Sequence, residues 1–347
     1  MPCADVVVAE HAGRHALGVE AESPTSEDMP VAQTANTVQP QLAAHSSSSG
    51  SRRARPLLVL ETMRLNQWSK NAVVFVGLLF SGQVVQLDPV LTTLVVAFAF
   101  CLVSGATYLM NDVVDADADR ENSRTASRPI ARGDLAPNVA LVAASFAALA
   151  GMALAAAINW KAFVTVSGYV ALQIAYSNWL RHLWLIDVTA IAGGFVLRAV
   201  AGGAAIGVPV SSWLLVCTGL SALLLGLTKR RAEAVAISGT RQPRRKVLRT
   251  YSVGRLDELI AVVATTTLSV YCLYAVIGAA SDLMLLTVPS VIYGIRRVLF
   301  LIRHRGDLTD EPAVLVWRDR PLLLCVGSWA ICAGAIVAAT SAVPAPA

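Results

Sequence analysis

The sequence predicts an all-α, polytopic membrane protein, and three observations predict it. Of 347 residues, 55% are hydrophobic and only 15% are charged, against about 25% charged in an ordinary soluble domain. The mean hydropathy is +0.59. The apolar residues are gathered into long runs separated by short charged stretches, the pattern of helices that satisfy their own backbone polar groups in lipid.

Nine spans follow from those runs, near 66–85, 89–113, 136–158, 162–178, 184–206, 211–228, 258–279, 282–302 and 321–342. Most approach the ~20 residues needed to cross a bilayer core; the first and fourth are the shortest in apolar length. Residues 1–55 are different. They hold Ser46–Ser47–Ser48–Ser49–Gly50, several Pro and Thr, and no sustained apolar run, so a disordered N-terminal extension is expected there. Residues 56–347 form a single transmembrane domain, since no 20–50-residue repeat is visible.

The loops carry the orientation. Arg120, Arg124, Arg128 and Arg132 follow the second span, and Arg181 follows the fourth. Lys229, Arg230, Arg231, Arg241, Arg244, Arg245, Lys246, Arg249 and Arg255 follow the sixth, and Arg303, Arg305, Arg318 and Arg320 the eighth. Among the alternate loops only Lys161 is basic. The positive-inside rule then places the N-terminus and these loops in the cytoplasm, in a multi-pass protein of the inner (plasma) membrane. It also accounts for the net charge of +5 without a nucleic-acid partner. The six cysteines form no CxxC pair and the five histidines no ligand spacing, which argues against a thiolate or imidazole metal centre.

Chemistry concentrates where the second span ends, at Asn111–Asp112–Val113–Val114–Asp115–Ala116–Asp117–Ala118–Asp119–Arg120. On a helix turning ~100° per residue, Asn111, Asp112, Asp115 and Asp119 share an arc of about 100°, and Asp117 points away. Carboxylates converging at a membrane edge repel one another and are costly. A hard divalent cation removes that cost, and magnesium typically bridges carboxylates to phosphate oxygens. The expected ligand is therefore Mg2+ with a diphosphate, held by Asp112, Asp115 and Asp119. Arg124 and Arg128 follow in the same loop and suit phosphate contact, although plain topology-setting charge is the alternative for each. Arg198 lies inside the fifth span, where a carboxylate partner is the simplest structural expectation. Tyr176 and Trp68 read equally as interface-belt aromatics.

The segment Asn111–Asp112–x–x–Asp115–x–x–x–Asp119, followed by Arg124–Thr125–x–x–Arg128–Pro129, resembles the first Asp-rich motif of the UbiA superfamily of intramembrane prenyltransferases. A narrower resemblance is to its decaprenyl-phosphate phosphoribosyltransferase branch. Arg64–Leu65–Asn66–Gln67–Trp68–Ser69–Lys70–Asn71 carries it, with Tyr176–Ser177, Asp187, Leu197–Arg198–Ala199–Val200–Ala201–Gly202–Gly203, Ser212–Trp213–Leu214–Leu215 and Arg318–Asp319–Arg320–Pro321. Most of the superfamily has a second Asp-rich motif after the sixth span; Lys229, Arg230 and Glu233 stand there in this chain. Two positions depart from the branch pattern, Asn122–Ser123–Arg124–Thr125–Ala126 and Arg181, where the branch usually has Lys.

The resemblance implies a UbiA-type bundle that transfers phosphoribose from 5-phosphoribosyl 1-diphosphate to a polyprenyl (decaprenyl) phosphate, for cell-wall arabinan precursor synthesis. It implies that Lys70, Arg128, Lys229 and Arg230 meet phosphate oxygens, with Arg124, Tyr176 and Arg181 lining the substrate. Asp187 and Glu233 are implied at the ribose hydroxyls or a second cation. Two other readings stand beside it: prenyl transfer from a prenyl diphosphate to an aromatic acceptor, and a non-catalytic transporter or assembly subunit. Lipid chain length and a homo-oligomeric state are left open.

Overall fold

The computed structural model describes residues 55–123, 125–238, 252–304, 315–316 and 318–341. The expectations for residues 1–54 and for Arg124 lie outside them. Every regular element among the described residues is helical, as a chain with no water to satisfy a sheet edge requires.

Among the described residues, seven helices are long and apolar enough to cross a membrane. They are α3 (Leu87–Val114), α5 (Pro137–Ile158), α7 (Ile186–Ala205), α8 (Ser212–Ser238), α9 (Val253–Leu273, extended by a π-helical turn Tyr274–Gly278), α10 (Val288–His304, preceded by a 3₁₀ turn Asp282–Thr287) and α11 (Arg320–Ser341). The short helices are α1 (Arg55–Thr62), α2 (Phe75–Leu79) and α4 (Ala116–Arg120). The fourth expected span is α6 (Trp160–Asn178), which has the length but carries Lys161, Thr165, Gln173 and Ser177 and is less apolar than the seven.

The first expected span differs most. Leu65–Val74 is a 3₁₀ segment and only Phe75–Leu79 is α-helical. The reason lies in its polar residues. Gln67 and Asn71 are buried and turn inward to partners on other helices, so the segment is held by side-chain bonds rather than by a continuous apolar stripe. It also runs against α7 backbone to backbone. A Cβ on Gly202 would lie 1.9 Å from the Val74 carbonyl oxygen, so only glycine permits this approach.

α3 is the spine. At about 1.5 Å per residue its 28 residues make about 42 Å, longer than the ~30 Å hydrocarbon core. Its polar end therefore reaches past the apolar layer. Val96, Phe100 and Val103 of α3 pack with Ala155 of α5, Val166 and Tyr169 of α6, Ala201 of α7 and Val74. A second core joins α7, α8 and α9 through Val188, Leu224, Leu227, Leu256 and Ile260. Arg198 of α7, 6% exposed, lies within the first of these layers. Its partners are not a carboxylate. Nε donates to Asn71 Oδ1 (2.7 Å), Nη1 to the Gly194 carbonyl (2.9 Å) and Nη2 to the Tyr169 hydroxyl (2.9 Å). The guanidinium also faces the rings of Tyr169, Phe195 and Phe100. No acid lies within the apolar part of α3, α6 or α7 to meet it, and neutral dipoles with aromatic faces take that place.

Candidate active site

The end of α3 sets the first cluster. α3 stops at Val114, Asp115 sits at φ −90°, ψ 4°, and α4 restarts at Ala116. The Asp115 N–H still bonds to the Asn111 carbonyl (2.9 Å) and the Asp119 N–H to the Asp115 carbonyl (2.8 Å). The break is thus a kink rather than a reversal, and the helical face survives it. Asp112 and Asp119 are buried, whereas the Asp117 side chain is 95% exposed and pairs with Arg120.

Each buried carboxylate has a guanidinium. Asp112 Oδ1 accepts from Arg64 Nη2 (2.7 Å) and Arg128 Nη1 (3.2 Å), and Asp119 Oδ2 from Arg128 Nη1 (2.6 Å). Arg181 Nη1 approaches both oxygens of Asp115 at 3.4 and 3.5 Å. Arg128 is aimed by its loop: Ile130 and Leu135 are buried against α1, α3 and α5, Arg120 Nε bonds to the Ala131 carbonyl (3.1 Å), and Gly133 turns the chain at φ +86°. Asn111 Oδ1 accepts from Ser177 Oγ of α6 (2.8 Å). Gln67 Oε1 accepts from both Lys70 Nζ (2.7 Å) and the Tyr108 hydroxyl (2.8 Å).

A second cluster spans α6, α7 and α8. Arg230, 1% exposed, has Nε 2.7 Å from Asp187 Oδ2 and Nη1 2.5 Å from Glu233 Oε2. Its Nη2 lies 3.4 Å from the Tyr176 hydroxyl. Asp187 is fully buried and also accepts from the Val188 N–H (2.8 Å). Tyr176 and Ser177 are neighbours on α6, and each touches one cluster, so the two adjoin. Lys229 lies beside Arg230 on α8 and is half-buried. Arg231 turns away to Asp257 of α9.

The described non-glycine residues with positive φ are Arg64 (φ 54°) and Leu185 (φ 60°). Arg64 meets Asp112, and Leu185 caps α7 two residues before Asp187. Such backbone costs roughly 1–3 kcal/mol per residue and gathers at functional sites. Arg64 opens the Arg64–Asn71 motif, and that motif is its one sequence signal, because its partner Asp112 lies 48 residues on.

A cavity of about 410 Å3 opens among α2, α8, α9, α10 and α11, lined by Val76, Phe80, Trp213, Cys217, Tyr271 and Trp329 among others. Its walls continue from site-bearing segments: Val73 follows Lys70, and Leu225 precedes Lys229.

The model of the UbiA prenyltransferase family matches residues 72–318. The chain belongs to the UbiA prenyltransferase family. Within it, the chain is 30% identical over 284 residues to the decaprenyl-phosphate phosphoribosyltransferase of Mycobacterium tuberculosis, covering 81% of this chain and 94% of that protein. It is 29% identical to the enzyme of the same name from Mycolicibacterium smegmatis, covering 80% and 92%. The solved structure of a UbiA homolog from Archaeoglobus fulgidus bound to GPP and Mg2+ superposes with a TM-score of 0.63 at 17% identity, covering 81% of this chain and 99% of that one. The UbiA fold and an integral membrane protein follow.

Donor chemistry in this UbiA chain suits magnesium: three carboxylates and an amide, all hard oxygen donors, at one helix end. As the side chains stand, no group of three acidic, His or Cys residues among the described residues closes around a point. The guanidiniums of Arg64, Arg128 and Arg181 supply the positive charge there instead.

Proposed function

We propose that this chain transfers the 5-phosphoribosyl group of 5-phosphoribosyl 1-diphosphate to a polyprenyl phosphate, decaprenyl phosphate by its relatives' names, and releases diphosphate. The observation that carries this reading is the matched set of three carboxylates and three guanidiniums at the end of α3, adjoining the polar Asp187–Arg230–Glu233–Tyr176 cluster. The first set suits a diphosphate, and the second presents hydrogen-bonding groups where a sugar rather than a hydrocarbon chain belongs.

In this reading Asp112, Asp115 and Asp119 hold Mg2+, which neutralises charge on the departing diphosphate when bound. Arg128 and Arg181 bind diphosphate oxygens in the planar two-point manner that guanidinium allows. Lys70, steadied by Gln67, and Lys229 add point charges. Arg124 carries the same expectation from its motif. Asn111, fixed by Ser177, orients the acid cluster. Tyr176 and Glu233 face the ribose hydroxyls. Arg230 is spent on two carboxylates and positions them instead of reaching a phosphate. The bond between C1 and the diphosphate oxygen breaks with its electron pair leaving on diphosphate. An anionic oxygen of the lipid phosphate bonds to C1, so no proton moves and no strong base is needed. The apolar cavity takes part of the polyprenyl chain. A cytoplasmic site, with residues 56–347 as the catalytic domain, completes the reading.

Transfer of label from radiolabelled 5-phosphoribosyl 1-diphosphate into decaprenyl phosphate, in detergent with Mg2+, tests it. Asp112→Asn is expected to lower the rate by about 10²–10³, the scale for losing one electrostatic stabiliser of a leaving group. No label in the lipid, together with turnover of a prenyl diphosphate and an aromatic acid, would overturn the reading in favour of aromatic prenylation.

A further inference from the structure

The carboxylates meant for a cation are already satisfied. Asp112 Oδ1 lies 2.7 Å from Arg64 and 3.2 Å from Arg128, and Asp119 Oδ2 lies 2.6 Å from Arg128. The side chains of Asp112 and Asp119 are only 3% and 10% exposed, whereas Arg64 and Arg128 are 26% and 29% exposed. The acids are walled in and the guanidiniums stand toward the open side. Arg64 is held there by two further features. Its backbone is left-handed at φ 54°, ψ 60°, and its guanidinium lies 4.8 Å over the Tyr108 ring, whose hydroxyl is tied to Gln67.

A guanidinium fork fits a carboxylate and a phosphate equally well. A divalent cation and a guanidinium beside the same buried carboxylate repel each other at short range, more strongly than two ions in bulk water.

We propose that Arg64 and Arg128 are internal counter-ions of the acid cluster. They keep its affinity for a bare divalent cation low, and they pass to the diphosphate when cation and diphosphate arrive together. This rests on the reading of Asp112 and Asp119 as cation ligands. Its consequence is coupling: cation and diphosphate each bind poorly alone and well together, by a factor within the roughly 5–150-fold span of measured couplings. Removing Arg64 then moves two affinities in opposite directions. The bare cation binds more tightly, because a repelling charge is gone. Diphosphate binds more weakly, because a fork is gone.

The experiment uses the full chain in detergent, with Mn2+ as the cation and inorganic diphosphate as the anion. Free Mn2+ is followed by electron paramagnetic resonance, and radiolabelled diphosphate by filter binding at saturating Mn2+. For Arg64→Met the expected result is roughly ten-fold tighter Mn2+ binding and roughly ten-fold weaker diphosphate binding, mid-range for such couplings. Arg128→Met shifts both in the same senses. Arg64→Lys keeps the repelling charge but not the fork, so Mn2+ affinity stays near wild type while diphosphate still weakens. Asp112→Asn removes Mn2+ binding. If Asp112→Asn removes Mn2+ binding but Arg64→Met and Arg128→Met leave it unchanged or weaken it, the two arginines are structural ties and the proposal falls alone. If Asp112→Asn leaves Mn2+ binding untouched, the reading of the acid cluster falls, and the proposal with it.

Discussion

Arg230 and Arg198 are nearly equally buried, at 1% and 6% exposed, yet they are accommodated in opposite ways. Arg230 sits between the carboxylates of Asp187 and Glu233, so its charge is cancelled within hydrogen-bonding reach. Arg198 meets an amide, a carbonyl, a hydroxyl and three rings, all neutral. The first region is an ionic cluster adjoining the acid-rich end of α3. The second is a charge kept inside the membrane layer by dipoles alone. Breaking an ion pair leaves a bare charge behind, whereas deleting Arg198 takes the charge away and leaves only unmet dipoles. Stability should therefore follow what remains rather than how many bonds are lost.

Four variants sharpen that contrast, each read as the thermal unfolding midpoint in detergent. Asp187→Ala should cost the most, about 3 kcal/mol, the lower end for breaking a buried pair because Glu233 still holds Arg230. The double variant Asp187→Leu with Arg230→Met should recover most of that loss; if it does not, the cluster is more than a cancelled pair. Arg198→Met should cost less, about 1–2 kcal/mol, from the unmet groups of Asn71 and Tyr169. A larger loss than for Asp187→Ala would invert the comparison. Asp117→Ala should cost about 0–0.5 kcal/mol, since its pair with Arg120 is exposed, and should leave transfer within about two-fold of wild type, as for a surface change away from the site.

The Asp-rich face was readable because helical periodicity alone decides it: Asp112 and Asp119 are buried and Asp117 is exposed. The break at Asp115 was not, since nothing local marks it as Gly or Pro would. Hydropathy found the seven long spans but misjudged Leu65–Val74, where Gln67 and Asn71 have partners that only tertiary structure reveals. The resemblance places Arg230 at a phosphate, while its pairing with Asp187, 43 positions earlier, leaves no mark in the sequence. Arg64 escaped for the same reason. The family resemblance was legible across the chain because it depends on motifs rather than on contacts.

The 3₁₀ segment at the start of the bundle has a consequence for biogenesis. Asn71 is completed by Arg198, 127 residues later in the chain, and Val74 is covered by Gly202. At about 5–20 residues per second of synthesis, some 6–25 s pass before α7 exists to receive that segment. During that interval Asn71 can meet Cys101 and Ser104 of α3 but not Arg198, and Val74 lacks its cover from α7. The segment can dock on α3 first, with Arg64 at its start already paired to Asp112, and its packing is completed only when α7 arrives.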